Sequence, residues 1–333
     1  MLRKIEFIIL IVVLMGCSNK PKSESFTFLA LDTACTITIY DGTNIDIENV
    51  KELIYNIENK MSAHKDGSDI ININNSNGEK VSIDNQTLEV IKRGLFFGDL
   101  SNGIFDISIG PLVTLWNVGE SSEPPKDEDI DKLLPLIEYK NIDVDSDGSV
   151  SLLNPNMKLD LGGIAKGYAA DVVKNYLVSE GVTSAIINPG GNINLIGKKI
   201  DNSDWNIGIQ HPREERGKYV GILSINDTSL VSSGDYERYF IADGVRYHHI
   251  LNSETGYPVR GEFIGSSIVY PKSIDSDALS TITFSSSIEE IISLKEKIPF
   301  SGIFVTEDKR IYISKDIEDN FRLVDDSYRL ITF

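Results

Sequence analysis

Four segments hold residues whose types and spacing could do chemistry. Asp277 and Thr281, in Asp277-Ala278-Leu279-Ser280-Thr281, are spaced i, i+4, so on a helix both oxygens share one face. A carboxylate and a hydroxyl, completed by phosphate oxygens, suit Mg²⁺, which rarely has an all-protein cage. The same pair could be an ordinary helix cap. Leu159-Asp160-Leu161-Gly162-Gly163-Ile164-Ala165-Lys166 reads as a strand end, a glycine turn and a helix start. Such a junction offers free amides and a positive dipole end to an anion. Lys166 adds a full charge there, and Asp160 could accept from a base or ribose. Gly103 to Leu112 places Asp106 after Phe105 in a glycine-bounded loop, as a ligand contact or a turn cap. His248-His249 opens a segment running to Pro258, and a histidine can carry protons near neutral pH. Adjacent side chains on a strand face opposite ways. Either His249 faces substrate, or it packs within its strand while His248 points to solvent.

The elements that must position these residues are mixed in kind. Thr36 to Tyr40 alternates as a half-buried strand should. Asp46 can cap a helix with Val50, Ile54, Ile57 and Met61 on one face, and Asp84 opens a second with Leu88, Ile91 and Leu95. Pro124-Pro125 and Asp127 to Asp131 read as a surface excursion. Ile142 to Leu152 reads as a hairpin about Asp147-Gly148. A helix runs from Ala165 to Ser179, stopped by Gly181. Strands follow at 185–187, 193–196 and 205–209, and others continue to Ile241. Ile264 to Tyr270 is strand, and Asp275 to Phe284 and Ser287 to Lys297 are helices. A hairpin about Asp308 closes the chain. There is no regular βαβ alternation, so the expected class is α+β.

Several imitations fail. Asp143-x-Asp145-x-Asp147-Gly148 opens like a calcium loop, but its twelfth position is Asn154 rather than a bidentate Glu. Gly191 to Lys198 has phosphate-loop glycines at the wrong spacing. No dinucleotide fingerprint and no nucleophile elbow is present.

The start of the chain reads as an address. Arg3 and Lys4 precede an apolar run from Ile5 to Leu14, too short for a bilayer. Leu14-Met15-Gly16-Cys17 resembles a lipobox, which would make Cys17 the acylated first residue of an anchored protein. The expected division is a leader over 1–16, a polar lipidated tether over 17–26, and a single domain over 27–333. The 333 residues carry 32 Lys+Arg against 50 Asp+Glu, a net charge of -18. That excludes broad nucleic-acid binding, which rests on clustered cations. Any anionic ligand must be held locally. Two cysteines, Cys17 and Cys35, form no disulfide framework.

Taken together, the segment from Leu159 to Asp171, Asn188-Pro189-Gly190-Gly191-Asn192, Ser232 to Phe240, His248 to Pro258 and Asp277 to Thr281 resemble the ApbE family of FAD:protein FMN transferases. The resemblance runs from about residue 28 to the C-terminus. It implies a T-fold-like mixed α/β domain that binds FAD as substrate with Mg²⁺ at the pyrophosphate. A Thr or Ser hydroxyl of an exported acceptor flavoprotein, such as a redox-pump subunit, would then take FMN while AMP leaves. It implies Asp277, Thr281 and the Gly163 carbonyl as metal ligands. Leu31, His64, Ile104, Phe105, Asp106, Asp160, Lys166 and Leu251 would line the FAD site. His249 would be the base, with a rate rising through a group near neutrality. Leu31-Asp32-Thr33 stands where relatives have Met-Gly-Thr, and His64 where they have an aromatic. Related reactions on such a site are hydrolysis of FAD to FMN and AMP, or flavin storage without turnover. Exported, lipid-anchored members suit the lipobox, placing the domain outside the cytoplasm.

Overall fold

The computed structural model describes residues 23–333. The leader, Cys17 and most of the tether lie outside the described residues. The strands are β1 (Glu24–Ala30), β2 (Thr33–Ile39), β3 (Ile142–Val144), β4 (Val150–Leu152), β5 (Ala185–Pro189), β6 (Ile193–Ile196), β7 (Trp205–Gln210) and β8 (Tyr219–Ile225). They continue with β9 (Ser229–Gly234), β10 (Tyr239–Ala242), β11 (Val245–His248), β12 (Phe263–Tyr270), β13 (Ser301–Thr306), β14 (Arg310–Ile313), β15 (Phe321–Leu323) and β16 (Arg329–Thr332). The helices are α1 (Ile47–Met61), α2 (Asp69–Asn74), α3 (Asn85–Leu100), α4 (Gly110–Trp116), α5 (Asp127–Leu133), α6 (Ala165–Ser179), α7 (Ser273–Phe284) and α8 (Ile288–Lys297).

A nine-stranded sheet ordered β1-β2-β5-β6-β9-β12-β13-β14-β16 forms the spine. Its pairs are antiparallel except β14 with β16. Pleating sends alternate residues to opposite faces. On β13, Phe304 joins the core beneath the helices, while Ile303 and Val305 join a second core against the sheet β15-β8-β7. A bulge between Phe263 and Gly265 resets this alternation on β12, so Phe263 and Ile268 both face the helices. The expected α+β class is what the fold shows.

The helix signals from Asp46 and Asp84 hold. Asp46 accepts from Glu48 N–H at 3.0 Å and Asp84 from Gln86 N–H at 2.8 Å. On α1 the four expected residues are the buried ones. Three expectations need correction. β1 begins at Glu24 and pairs along β2, so ordered structure starts inside the segment read as tether. The acidic run near residue 127 is the first turn of α5, where carboxylates meet the positive dipole end and Ile130 is fully buried. Leu159 to Leu161 belongs to no strand: one side meets only a short parallel bridge to residues 107–110, through Asp160 N–H to Ile107 O at 2.9 Å and Gly110 N–H to Lys158 O at 3.2 Å, and a side chain takes the other. The Asn74 amide donates to Leu159 O at 3.0 Å and accepts from its N–H at 2.6 Å.

Candidate active site

α6 and α7 cross with their backbones in contact. A Cβ on Gly167 would lie 2.3 Å from Ser273 O and 2.7 Å from Ile274 Cα. That closeness lets each helix cap the other. Asp277 Oδ2 of α7 accepts from Gly167 N–H in the first turn of α6 at 2.9 Å. Asp171 of α6 accepts from Ser273 N–H and Ile274 N–H at the start of α7, both at 2.9 Å. Each cap satisfies donors that a helix leaves orphaned. Arg93 of α3 adds a bidentate pair to Asp275, at 2.6 and 2.8 Å, with Asp275 only 2% exposed. Hydroxyl pairs fix the third side of α7 to the large sheet: Ser276 to Ser229 at 2.7 Å, Ser280 to Ser233 at 2.8 Å, Thr283 to Ser266 at 2.7 Å.

This frame leaves two oxygens uncommitted. Asp277 is buried and its Oδ2 is taken, but no hydrogen bond among the described residues occupies Oδ1. Thr281 Oγ is likewise free of hydrogen bonds among them. Gly163 sits beside this pair: a Cβ on it would lie 3.8 Å from Thr281 Oγ and 3.2 Å from the Phe105 ring. No group of three or more His, Cys, Asp or Glu that could hold a metal occurs among the described residues. The donors are therefore a single carboxylate, a hydroxyl and backbone oxygen. Such a set fits a hard cation that draws its remaining ligands from a bound phosphate, and does not fit a soft metal.

The glycine turn leading into α6 gathers the next residues. Asp160 Oδ1 accepts from Gly162 N–H at 2.7 Å, and Lys166 Nζ donates to Gly162 O at 2.8 Å. Ile164 stands at the N-cap with no side-chain cap, but Leu161 O takes the Ala165 N–H at 2.9 Å and Asp277 the Gly167 N–H, so of the first-turn amides only that of Lys166 is without a hydrogen bond among the described residues. His64 and Asp160, distant in sequence, line one cavity of about 180 Å³ together with Asn74, Thr114 and Lys158. Ile104 packs partly buried against the helical core, and Phe105 is buried within it. Asp106 acts as a turn cap, the alternative open in the sequence. Its Oδ1 accepts from Ser108 N–H at 2.7 Å and Oγ–H at 2.6 Å, and its Oδ2 from Tyr139 N–H at 3.0 Å. Burial raises its pKa despite these bonds. Leu251 is half-buried, bridged to Pro258. That loop is tied back at 2.7 Å each by Ser253 Oγ to Gly103 O and Trp116 Nε1 to Gly256 O.

Leu31 and Asp32 form the two-residue turn between β1 and β2, each with φ of +54°. That geometry favours glycine, so Asp32 occupies a left-handed position. Arg238 Nη2 donates to Asp32 O at 3.2 Å and steadies the turn.

The two histidines are sharply unlike. His248 is buried with both ring nitrogens used: Nε2 donates to Val259 O at 2.8 Å and Nδ1 accepts from Ile250 N–H at 3.2 Å. His249 is exposed, and its Nδ1 lies 3.3 Å from Arg238 O. A carbonyl only accepts, so Nδ1 carries the proton and the Nε2 lone pair is open. This reverses the packing alternative, in which His248 faced solvent. Although the ring is open to solvent, the surrounding protein, then the Lys166 and Arg238 cations and His248, lower its pKa from the ordinary histidine value. The free protein therefore holds it neutral, and a titration near neutrality is not what this environment gives.

Sequence reasoning left Gly167, Asp171, Arg93 and Arg238 without roles. Gly167 carried a signal, since an interior helix glycine costs about 1 kcal/mol against alanine and marks close approach.

The sequence model of the ApbE family matches residues 31–304. A Treponema pallidum protein named FAD:protein FMN transferase is 31% identical over 95% of both chains. A Klebsiella pneumoniae protein of the same name is 32% identical over 92% of this chain and 96% of its own. The crystal structure of the ApbE protein of Thermotoga maritima superposes with a TM-score of 0.83 at 31% identity, covering 90% of this chain and 99% of that one. With its five motif segments in order and its fold shared across nearly the whole length, this chain belongs to the ApbE family.

Proposed function

We propose that this protein is an FAD:protein FMN transferase that moves the FMN half of FAD onto a Thr or Ser hydroxyl of an exported flavoprotein and releases AMP. The observation that carries the reading is the junction of α6 and α7. There a buried carboxylate with a free oxygen, a free hydroxyl, the Lys166 amide at the start of α6 and the Lys166 ammonium converge, with His249 within reach of the Lys166 charge. The curated relatives named above carry the same activity in their names.

Asp277, Thr281 and the Gly163 carbonyl would hold Mg²⁺, which when bound neutralises pyrophosphate charge and polarises the phosphorus. The Lys166 amide at the positive end of α6 and the Lys166 side chain bind the same anion and stabilise charge that grows on its oxygens. The acceptor hydroxyl gives its proton to His249 Nε2. Its oxygen bonds to the FMN phosphorus, the bridging P–O bond breaks, and the electron pair leaves with AMP. Asp160 and His64 line the cavity next to this point and would contact the nucleotide.

The acceptor carries an Asp-x-x-(Ser/Thr)-Gly-Ala-Thr type of segment, as in subunits of membrane redox pumps. The lipobox ending at Cys17 would place the enzyme on the extracytoplasmic side, tied to the membrane by acyl chains. Among the described residues no helix is long and apolar enough to cross a membrane. Cys17→Ser should free the protein from membranes and leave its FAD chemistry unchanged, since Cys17 lies ahead of β1, the first strand of the domain. Retention in the membrane fraction would refute the anchor.

Incubation with FAD and Mg²⁺, with and without a carrier protein bearing that segment, tests the activity. AMP with flavin fixed to the carrier is expected. AMP with only free FMN would make the enzyme a hydrolase, and bound but intact FAD would make it a store.

A further inference from the structure

The ribbon β10–β11 stands apart from the large sheet. It pairs Tyr239 with His248, Phe240 with Tyr247, Ile241 with Arg246 and Ala242 with Val245. It closes on Asp243-Gly244, with φ of +50° and +78°, a two-residue turn of the primed kind. The pair flanking such a turn exchanges hydrogen bonds, and bonded and non-bonded pairs alternate from there. Ala242 and Phe240 therefore bond across to β11, as does Arg238, whose carbonyl accepts from His249 N–H at 3.2 Å. The N–H and C=O of Tyr239 and Ile241 point outward, along an edge that pairs with no strand among the described residues.

Pleating divides the side chains too. Arg238, Phe240, Tyr247 and His249 share the face that stacks toward Trp116. Tyr239 and Ile241 share the other, 41% and 60% exposed, with Arg246 lying 3.9 Å over the Tyr239 ring. An unpaired edge flanked by exposed apolar residues is a template for another chain.

We propose that β10 is the docking strand for the acceptor polypeptide, which adds as an extended third strand along the Tyr239–Ile241 edge. The proposal rests on the reading of His249 as base for a protein hydroxyl. That reaction requires a foreign polypeptide at His249, and this edge is continuous with it. Strand addition uses main-chain bonds for affinity and alternate side chains for specificity. An added residue level with Arg238 projects onto the His249 face. Its backbone lies about 10 Å from that of His249, two strand spacings. The imidazole already leans across this gap, because Nδ1 bonds the Arg238 carbonyl. The neighbours of the hydroxyl residue fall on the opposite face, against Tyr239, Ile241 and Arg246. The fitting acceptor is thus an extended segment with Thr or Ser flanked by small or apolar residues and a carboxylate for Arg246. Leu29 is more exposed, at 76%, but belongs to β1, outside this ribbon.

Ile241→Pro tests this, since it removes an outward N–H and no bond of the ribbon. Losing one main-chain hydrogen bond, together with the clash of the ring, should raise KM for the carrier protein roughly tenfold or more. FAD affinity and kcat at saturating carrier should stay as in wild type. Ile241→Thr, which keeps the N–H, should stay within about threefold. If the proline variant melts early, Ile241→Asp decides by the same KM. Amide exchange gives the direct readout: Tyr239 and Ile241 amides should slow only when FAD and a carrier with Val in place of the reactive Thr are both present. An unchanged KM in every variant, or no slowing, overturns the docking strand. A wild type that never labels the carrier would instead defeat the transferase reading itself.

Discussion

The two halves of the candidate site are built in opposite ways. The phosphate half is the α6–α7 junction, tied by reciprocal caps, the Arg93–Asp275 pair and hydroxyl contacts to the large sheet. The histidine half follows a two-stranded ribbon outside that sheet, and its reactive ring is exposed. The difference matches what each half must meet. A pyrophosphate and its cation need oxygens fixed in advance, because stabilising charge without rearrangement is the larger part of catalysis. A protein hydroxyl needs an approach route, and a route requires surface. Stability and accessibility are thus placed in different elements rather than traded within one.

The largest effect should come from breaking the phosphate half. Asp277→Ala removes the one carboxylate of the proposed cation site and the cap on Gly167 N–H. Transfer should fall by roughly 10³-fold or more, as expected when several kcal/mol of metal-assisted stabilisation is lost. EDTA should match the mutation in wild type, and added Mg²⁺ should restore only the wild type. Turnover near the wild-type level would remove Asp277 from the reaction.

Breaking the histidine half should cost less and in a different quantity. His249→Ala should slow single-turnover transfer by roughly 10²–10⁴-fold, the span for a lost general base. FAD affinity should stay within a few-fold. The pH profile sharpens this. A depressed pKa means His249 is already unprotonated at neutral pH, and protonates only as pH falls below the ordinary histidine range. The free enzyme should therefore show no inflection between pH 6 and 7 owed to this group, and the acid limb should lie lower. An inflection near 6.5 that vanishes in the mutant would show that the surroundings do not hold the ring neutral.

Gly167→Ala probes the junction without removing any of its reactive groups. The added methyl meets Ser273 O and Ile274 Cα, both backbone, so the helices must separate. Overpacking of this kind costs about 1–3 kcal/mol. Thermal unfolding should show that loss, and activity should need more Mg²⁺ because Asp277 moves with α7. An unchanged melting point would mean that the crossing is looser than described.

What could be read in advance follows the range of the interactions. Local signals served well: Asp46 and Asp84 as caps, the hairpin about Asp147-Gly148, the i, i+4 pairing of Asp277 with Thr281. Contacts between distant segments were not visible. Nothing in the spacing of Leu159 to Leu161 shows that the segment near Ile107 flanks it on one side and the Asn74 amide on the other. Asp171 lay in a segment already singled out, yet its role needs the start of α7, about a hundred residues on. The histidine pair was ambiguous because alternation sets opposite faces without saying which face is inside. Only the tertiary partners Val259, Ile250 and Arg238 decide that.

The most direct test measures, in one reaction, the AMP released and the flavin fixed to the carrier protein. Wild type with FAD, Mg²⁺ and carrier should give equal amounts of both, with the flavin on the Thr or Ser of the Asp-x-x-(Ser/Thr)-Gly-Ala-Thr segment. AMP in step with free FMN, while the carrier stays unlabelled, would contradict the transferase account.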